Sequence, residues 1–171
     1  KEGMYEDADN REKLLAISRF HSSEMDGLTG LSDYVSRMKE GQDEIYYLSA
    51  DTITSAEMSP HLEGFKARGI EVLYLTDPVD EFWLPLVPEF EGKSFASITK
   101  GGVDIDKFEA SDDAKTDDET PDVDKLIAAM KEALGSSVAD IRISKTLTDS
   151  PACLVADEGG MDIQMQRLMK A

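Results

Sequence analysis

The sequence predicts an α/β fold over residues 1–107, followed after an acidic linker by an incomplete α+β domain. Two observations carry the first part. Short apolar runs at Glu44–Ser49, Ile70–Leu75 and Ser94–Thr99 alternate with segments of helical spacing, the pattern of a sheet covered by helices. The run at 70–75 is nearly all apolar, as expected of a strand buried on both faces. A third observation sets the boundary. From Glu109 to Asp124 there are eight acids, one lysine and no aromatic residue, too little apolar surface to offset the cost of ordering. The division is therefore 1–107, an acidic linker at 108–120, and a second domain over 121–171.

Each element has its own signal. Asp7–Asn10 offers N-cap candidates to a helix carrying Leu14, Leu15, Ile17, Ser18 and Phe20, ended by a turn over Ser22–Gly27. Thr29 or Ser32 can cap a short helix with Leu31, Tyr34, Val35 and Met38 on one face, broken by Gly41. Glu44–Ser49 is a strand because aromatic and branched residues dominate it. Helices follow over 52–58 and 60–68, the second entered through Ser59-Pro60 and closed by Gly69. After the 70–75 strand a helix is expected over Phe82–Val87, with Pro85 in its first turn.

Beyond the linker, Pro121 suits a first helical position, and Leu126, Ile127, Met130, Ala133 and Leu134 form a helical face ended by Gly135. Val138–Ser144 alternates as a strand, Ala152–Ala156 is a second short one, and Gly159-Gly160 opens a final amphipathic helix.

Composition excludes several function classes. The 171 residues carry a formal charge of -18 and a pI near 4.3, which opposes binding to nucleic acid or to an anionic membrane surface. The single Cys153 rules out an internal disulfide and fits a reducing compartment. No apolar run approaches the ~20 residues of a membrane helix. The chain begins without an initiator methionine and stops within a helical pattern, as expected of a piece of a larger protein.

Three groups could carry chemistry. Neither His21 nor His61 has a Cys or His partner at metal spacing, so no zinc site is expected, and His61 is read as a surface or capping residue. Cys153 has no local activator and is read as a small residue packed in a strand. Asp77, Asp80 and Glu81 follow a parallel strand, where α/β proteins place Mg²⁺-dependent active sites, and a phosphatase-like enzyme is the alternative they support. Asp77-Pro78 also initiates a turn, and acids in a first helical turn meet the helix dipole favourably, so capping outweighs catalysis. No Walker loop or Rossmann glycine fingerprint is present. The last helix places Met161, Met165, Leu168 and Met169 on one face, which is either ordinary core or an adaptable binding surface.

Several long, ordered stretches resemble the heat-shock protein 90 chaperone family, in its bacterial HtpG branch. The most specific is Leu28-Thr29-Gly30-Leu31-Ser32-Asp33-Tyr34-Val35-Ser36-Arg37-Met38-Lys39-Glu40-Gly41-Gln42, running into Ile45-Tyr46-Tyr47. Ser59-Pro60-His61-Leu62-Glu63, Thr76-Asp77-Pro78-Val79-Asp80-Glu81, Glu89-Phe90-Glu91-Gly92-Lys93 and Leu147-Thr148-Asp149-Ser150-Pro151-Ala152 complete the set.

The resemblance implies that residues 1–107 are the distal part of a middle domain with α/β/α layering. Residues 121–171 are then the truncated start of a C-terminal domain. It implies a cytoplasmic, ATP-driven, dimeric parent whose ATP and Mg²⁺ site and dimer helices lie outside this chain. The piece itself is then neither an ATPase nor a holder of a cofactor. Its partners would be unfolded or partly folded client proteins, contacted by Glu81, Phe82 and Trp83 in one domain and by Met161, Met165, Leu168 and Met169 in the other. Phe82 rather than Trp83 occupies the family's aromatic position after Asp80-Glu81, which leaves open which ring meets the client. A passive spacer between absent domains is the remaining alternative.

Overall fold

Glu44–Ser49 (β3) forms a central strand because both of its faces are apolar. Side chains alternate across a strand, so Ile45 joins one buried cluster while Tyr46 and Leu48 join the other. The same division splits the next strand, Leu73–Leu75 (β4): Leu73 and Leu75 face the first cluster, Val72 and Tyr74 the second. The structure, a computed structural model, describes residues 1–108, 123–144 and 146–170. Apart from Phe108, the expected acidic linker at 108–120 lies outside the described residues, as does Pro121.

Around β3 a six-stranded mixed sheet assembles in the order β2-β1-β4-β3-β6-β5. Here β1 is Arg19–Ser22, β2 Thr29–Gly30, β5 Glu89–Phe90 and β6 Lys93–Ser97. The pairs β3–β4 and β3–β6 are parallel; β1–β4, β1–β2 and β5–β6 are antiparallel. The β5–β6 hairpin turns on Glu91 (φ 49°) and Gly92 (φ 73°), the left-handed pair that a two-residue hairpin loop requires.

On one face lie α1 (Glu2–Glu6), α2 (Arg11–Ile17), α3 (Leu31–Arg37) and α6 (Asp80–Trp83), which bury Met4, Leu15, Leu31, Tyr34 and Trp83. On the other lie α4 (Ile53–Glu57), a 3-10 turn at Pro60–Leu62, and α5 (Glu63–Ala67), which bury Ala56, Leu62 and Phe65. Thr52 and Ser55 form a reciprocal capping box at the start of α4. Helices on both faces of a mixed sheet bear out the α/β expectation.

Four expectations need correction. The first helix ends at Ile17, and Phe20 belongs to strand β1, where it pairs with Thr29 of β2 and its ring lies in the core beside Trp83. The second strand is shorter than Ile70–Leu75, although Ile70 and Val72 are buried. The helix expected at Phe82–Val87 begins at Asp80 and gives way to a 3-10 turn at Leu84–Leu86, where Pro85 sits in the first turn. Finally, Val138–Ser144 forms no strand, and Ala152–Ala156 contributes only one parallel bridge, Ala156 to Lys100. Alternation marks which face a strand would bury, but a strand also needs a neighbour to pair with.

The helix Val123–Leu134 (α7) ends before Gly135, whose φ of 49° stops it, and buries none of its residues. The last helix is Ile163–Leu168 (α8), capped by the Asp162 side chain, which accepts from the Gln164 N–H at 3.0 Å. Among the described residues no helix is long and apolar enough to cross a membrane.

Candidate binding surface and its supports

The chain Asp77-Pro78-Val79-Asp80-Glu81-Phe82-Trp83 leaves β4 and turns at once into α6, so successive side chains point in different directions around one helical turn. Trp83 points inward and is 0% exposed, while Phe82 points outward and is 45% exposed. Trp83 packs edge-on against Phe95 at 5.8 Å and tilted against Phe20 at 6.1 Å. Its indole N–H donates to Asp80 Oδ1 at 2.7 Å, the polar partner a buried tryptophan requires. Asp80 is itself buried; its other oxygen accepts from Lys1 Nζ at 2.8 Å and from the Asp77 N–H at 3.2 Å.

Phe82 meets Tyr5 edge-to-face, centroids 6.0 Å apart, at the margin of an open depression of about 910 Å³. Lys1, Tyr5, Asp77 and Val79 help to line it. Lys1 bridges to Asp77 at 2.8 Å as well as to Asp80, so this depression carries apolar rings beside an ammonium shared by two carboxylates.

Glu81 faces the opposite way from Phe82 and is buried, with Oε1 lacking a hydrogen-bond partner among the described residues. Burial, more than anything else, pushes its carboxyl up, and the charge of Asp162 pushes it the same way. Two of the three residues expected to meet a client in this turn, Glu81 and Trp83, therefore lie beneath the surface. Packed on the sheet, this turn leaves only Phe82 of the three at the surface, and the larger ring takes the core.

The same geometry bears on the alternative enzyme reading. Asp80 is committed to Trp83 and Lys1, Asp77 reaches Lys1 from the surface, and Glu81 turns inward, so the three do not converge. Among the described residues no group of three His, Cys, Asp or Glu stands close enough to hold a metal ion. Asp77, Asp80 and Glu81 therefore do not fit the Mg²⁺ site of a phosphatase-like enzyme.

The methionine face is open. Met161 is 53% and Met169 66% exposed, Leu168 is exposed, and Met165 is half-buried. Among the described residues, none of the four belongs to either buried cluster.

What holds this segment against the sheet was not legible as a motif. Glu63, at the start of α5, accepts the backbone N–H groups of Thr148 (2.7 Å), Asp149 (3.0 Å) and Ser150 (3.1 Å), and the Ser150 hydroxyl. Desolvation opposes the charge, but the Ser150 hydroxyl and the three amides outweigh it and hold the carboxyl at about 2. Gly64 lies against this turn: a Cβ there would sit 2.6 Å from the Thr146 carbonyl oxygen.

Further along, the Ala156 N–H donates to the Thr99 carbonyl at 2.9 Å, and the Gly101 N–H to the Ala156 carbonyl at 3.0 Å. Asp162 Oδ2 accepts from Thr99 Oγ1 at 2.8 Å and from the Ser97 hydroxyl. His61 is half-buried here rather than on the surface; burial lowers its pKa, opposed by Asp162 and by a backbone hydrogen bond at Leu154. Cys153 is partly buried outside any strand, and burial raises its thiol.

The described residues form a layered α/β unit with an appended helical segment, joined to it by the carboxylates of Glu63 and Asp162. The sequence profile of the Hsp90 protein family matches residues 1–171, and the chain belongs to that family. It is 53% identical over 173 residues to "Chaperone protein HtpG" of Roseobacter denitrificans, covering 99% of this chain and 28% of that protein. The HtpG of Mesorhizobium japonicum is 51% identical over 174 residues, covering 100% of this chain and 28% of that protein. That of Rhodospirillum rubrum is 45% identical over 177 residues, covering 99% and 28%. The chain thus spans little more than a quarter of the length of these relatives.

Proposed function

We propose that this chain is the client-contacting portion of an ATP-dependent molecular chaperone of the Hsp90 family. The observation that carries the reading is the exposure of apolar side chains in a strongly acidic protein. Phe82 stands out from α6, and Met161, Leu168 and Met169 stand out from the last helix and its entry. Unbranched methionines adapt to many shapes, which suits partners of undefined sequence. The charge of -18 draws basic segments of unfolded chains and keeps the apolar groups dispersed.

In this reading Phe82, Met161, Met165, Leu168 and Met169 meet the client. Glu81 and Trp83 act from beneath, holding α6 so that Phe82 points outward. ATP and Mg²⁺ binding, hydrolysis and homodimerisation belong to parts of the longer protein outside this chain, and the setting is cytoplasmic. Residues 1–107 would be the distal middle domain, 108–120 the linker and 121–171 the start of the C-terminal domain. Suppression of the aggregation of a chemically unfolded protein by the chain, at stoichiometric ratios, tests the reading; no suppression and no binding would favour a passive spacer.

A further inference from the structure

We propose that the depression between α1 and α6 is a composite pocket for one kind of client segment: an extended stretch that carries a large apolar side chain with a lysine or arginine two residues away. The inference rests on Phe82 being a client contact and adds Tyr5 and Asp77 to it. Tyr5 stands 50% exposed on α1 and meets Phe82 edge-to-face at 6.0 Å, so the two rings form one apolar wall drawn from two helices. Pro78 and Val79 continue that wall at the turn into α6. A depression of about 910 Å³ is larger than one side chain needs, which leaves room for the backbone and a second residue of the segment.

The charge on the rim selects the neighbouring residue. Glu2 and Asp77 are exposed there, and Asp80 lies buried beneath them. Lys1 Nζ stands 2.8 Å from Asp77 and 2.8 Å from Asp80. One ammonium thus serves two carboxylates while Glu2 adds another, and the rim stays negative. Asp80 also holds the Trp83 indole and is 1% exposed, so Lys1 cannot leave it without stranding a buried charge. The Asp77 side chain is 58% exposed, so it is the carboxylate that can exchange Lys1 for a cation of the client. In an extended segment, side chains two residues apart lie on the same side. An apolar group set against Tyr5 and Phe82 therefore turns a base two positions on toward the same rim.

Two labelled, unstructured peptides of identical composition test this by fluorescence anisotropy with the whole chain. In one, an arginine stands two residues after a phenylalanine; in the other it is moved to the far end. Matched composition cancels the long-range pull of the chain's charge of -18. The first peptide is expected to bind about threefold tighter, the effect of one exposed ion pair. Asp77→Asn, which leaves Lys1 on Asp80, is expected to erase the difference. Tyr5→Ser is expected to weaken both peptides about fivefold, as the loss of a contact ring, with the unfolding midpoint unchanged. Equal affinities for the parent chain, a preference that survives Asp77→Asn, or full affinity in Tyr5→Ser would overturn the proposal. Phe82→Ser separates the two failures: if it still weakens binding, the client-contact reading stands without this pocket, and if it has no effect, that reading falls as well.

Discussion

Trp83 and Asp80 are joined within a single helical turn: the indole N–H donates to the buried carboxylate at 2.7 Å. The bond fixes the ring between Phe20 and Phe95 and so determines that its neighbour Phe82 faces solvent.

Removing the acceptor leaves a buried indole N–H unpaired and strips Lys1 of its inner partner. Asp80→Ala is expected to lower stability by about 2–4 kcal/mol. Urea unfolding followed by Trp83 fluorescence measures it; a loss under about 0.5 kcal/mol would mean that the indole finds another acceptor.

Gly64 closes against the Thr146 backbone, where an added Cβ would lie 2.6 Å from a carbonyl oxygen and 2.9 Å from Ile105 Cδ1. The Thr146 contact is backbone and cannot swing aside, so Gly64→Ala should cost about 1–3 kcal/mol and separate α5 from the 146–150 turn. Thermal unfolding gives the cost, and exchange at Thr148 and Asp149 shows whether the turn is what moves.

Glu63 titrates at about 2 while it grips the turn. A carboxyl depressed below its ordinary value of about 4.3 contributes stability that is complete above that value and is lost as pH falls through about 2. Amide protection at Thr148 and Ser150 is therefore expected to be complete above about pH 4.5, to decline progressively below it and to be lost near pH 2. In Glu63→Gln, whose amide nitrogen cannot accept these N–H groups, protection is expected to be about tenfold lower at pH 7 and flat across this window. Full loss of protection near pH 4 to 5 in the parent chain would contradict the assignment.

The sheet was legible where chemistry is local. Glu44–Ser49 reads as a strand from composition alone, and the helix expected over 52–58 forms at Ile53–Glu57. Phe20 is displaced from the expected helix: its spacing from Leu14 and Ile17 suits one, but the strand that claims it is fixed by partners in β2 and, at His21 and Ser22, in β4, more than fifty residues away. The exposed methionine face was visible as a face, but spacing alone cannot tell whether a helix buries it. Nor does a sequence show that Trp83 takes the core from Phe82. The clasps of Glu63 and Asp162 were invisible for the same reason, since their partners lie 85 and 63 residues away in sequence, at Thr148 and Thr99.

The central claim is that Phe82 and the last helix form the contact surface while Trp83 supports it. The most direct measurement is a fluorescence-anisotropy titration of a labelled, permanently unfolded polypeptide with the chain and three variants. Phe82→Ser, and Met161→Ser combined with Met169→Ser, are expected to weaken binding about tenfold each with unfolding midpoints unchanged, the effect of removing a contact anchor. Trp83→Phe, which keeps a ring in the core, is expected to lower stability and leave the affinity of the folded protein as it was. Undiminished affinity in both surface variants, or a loss confined to Trp83→Phe with its fold intact, would contradict the account.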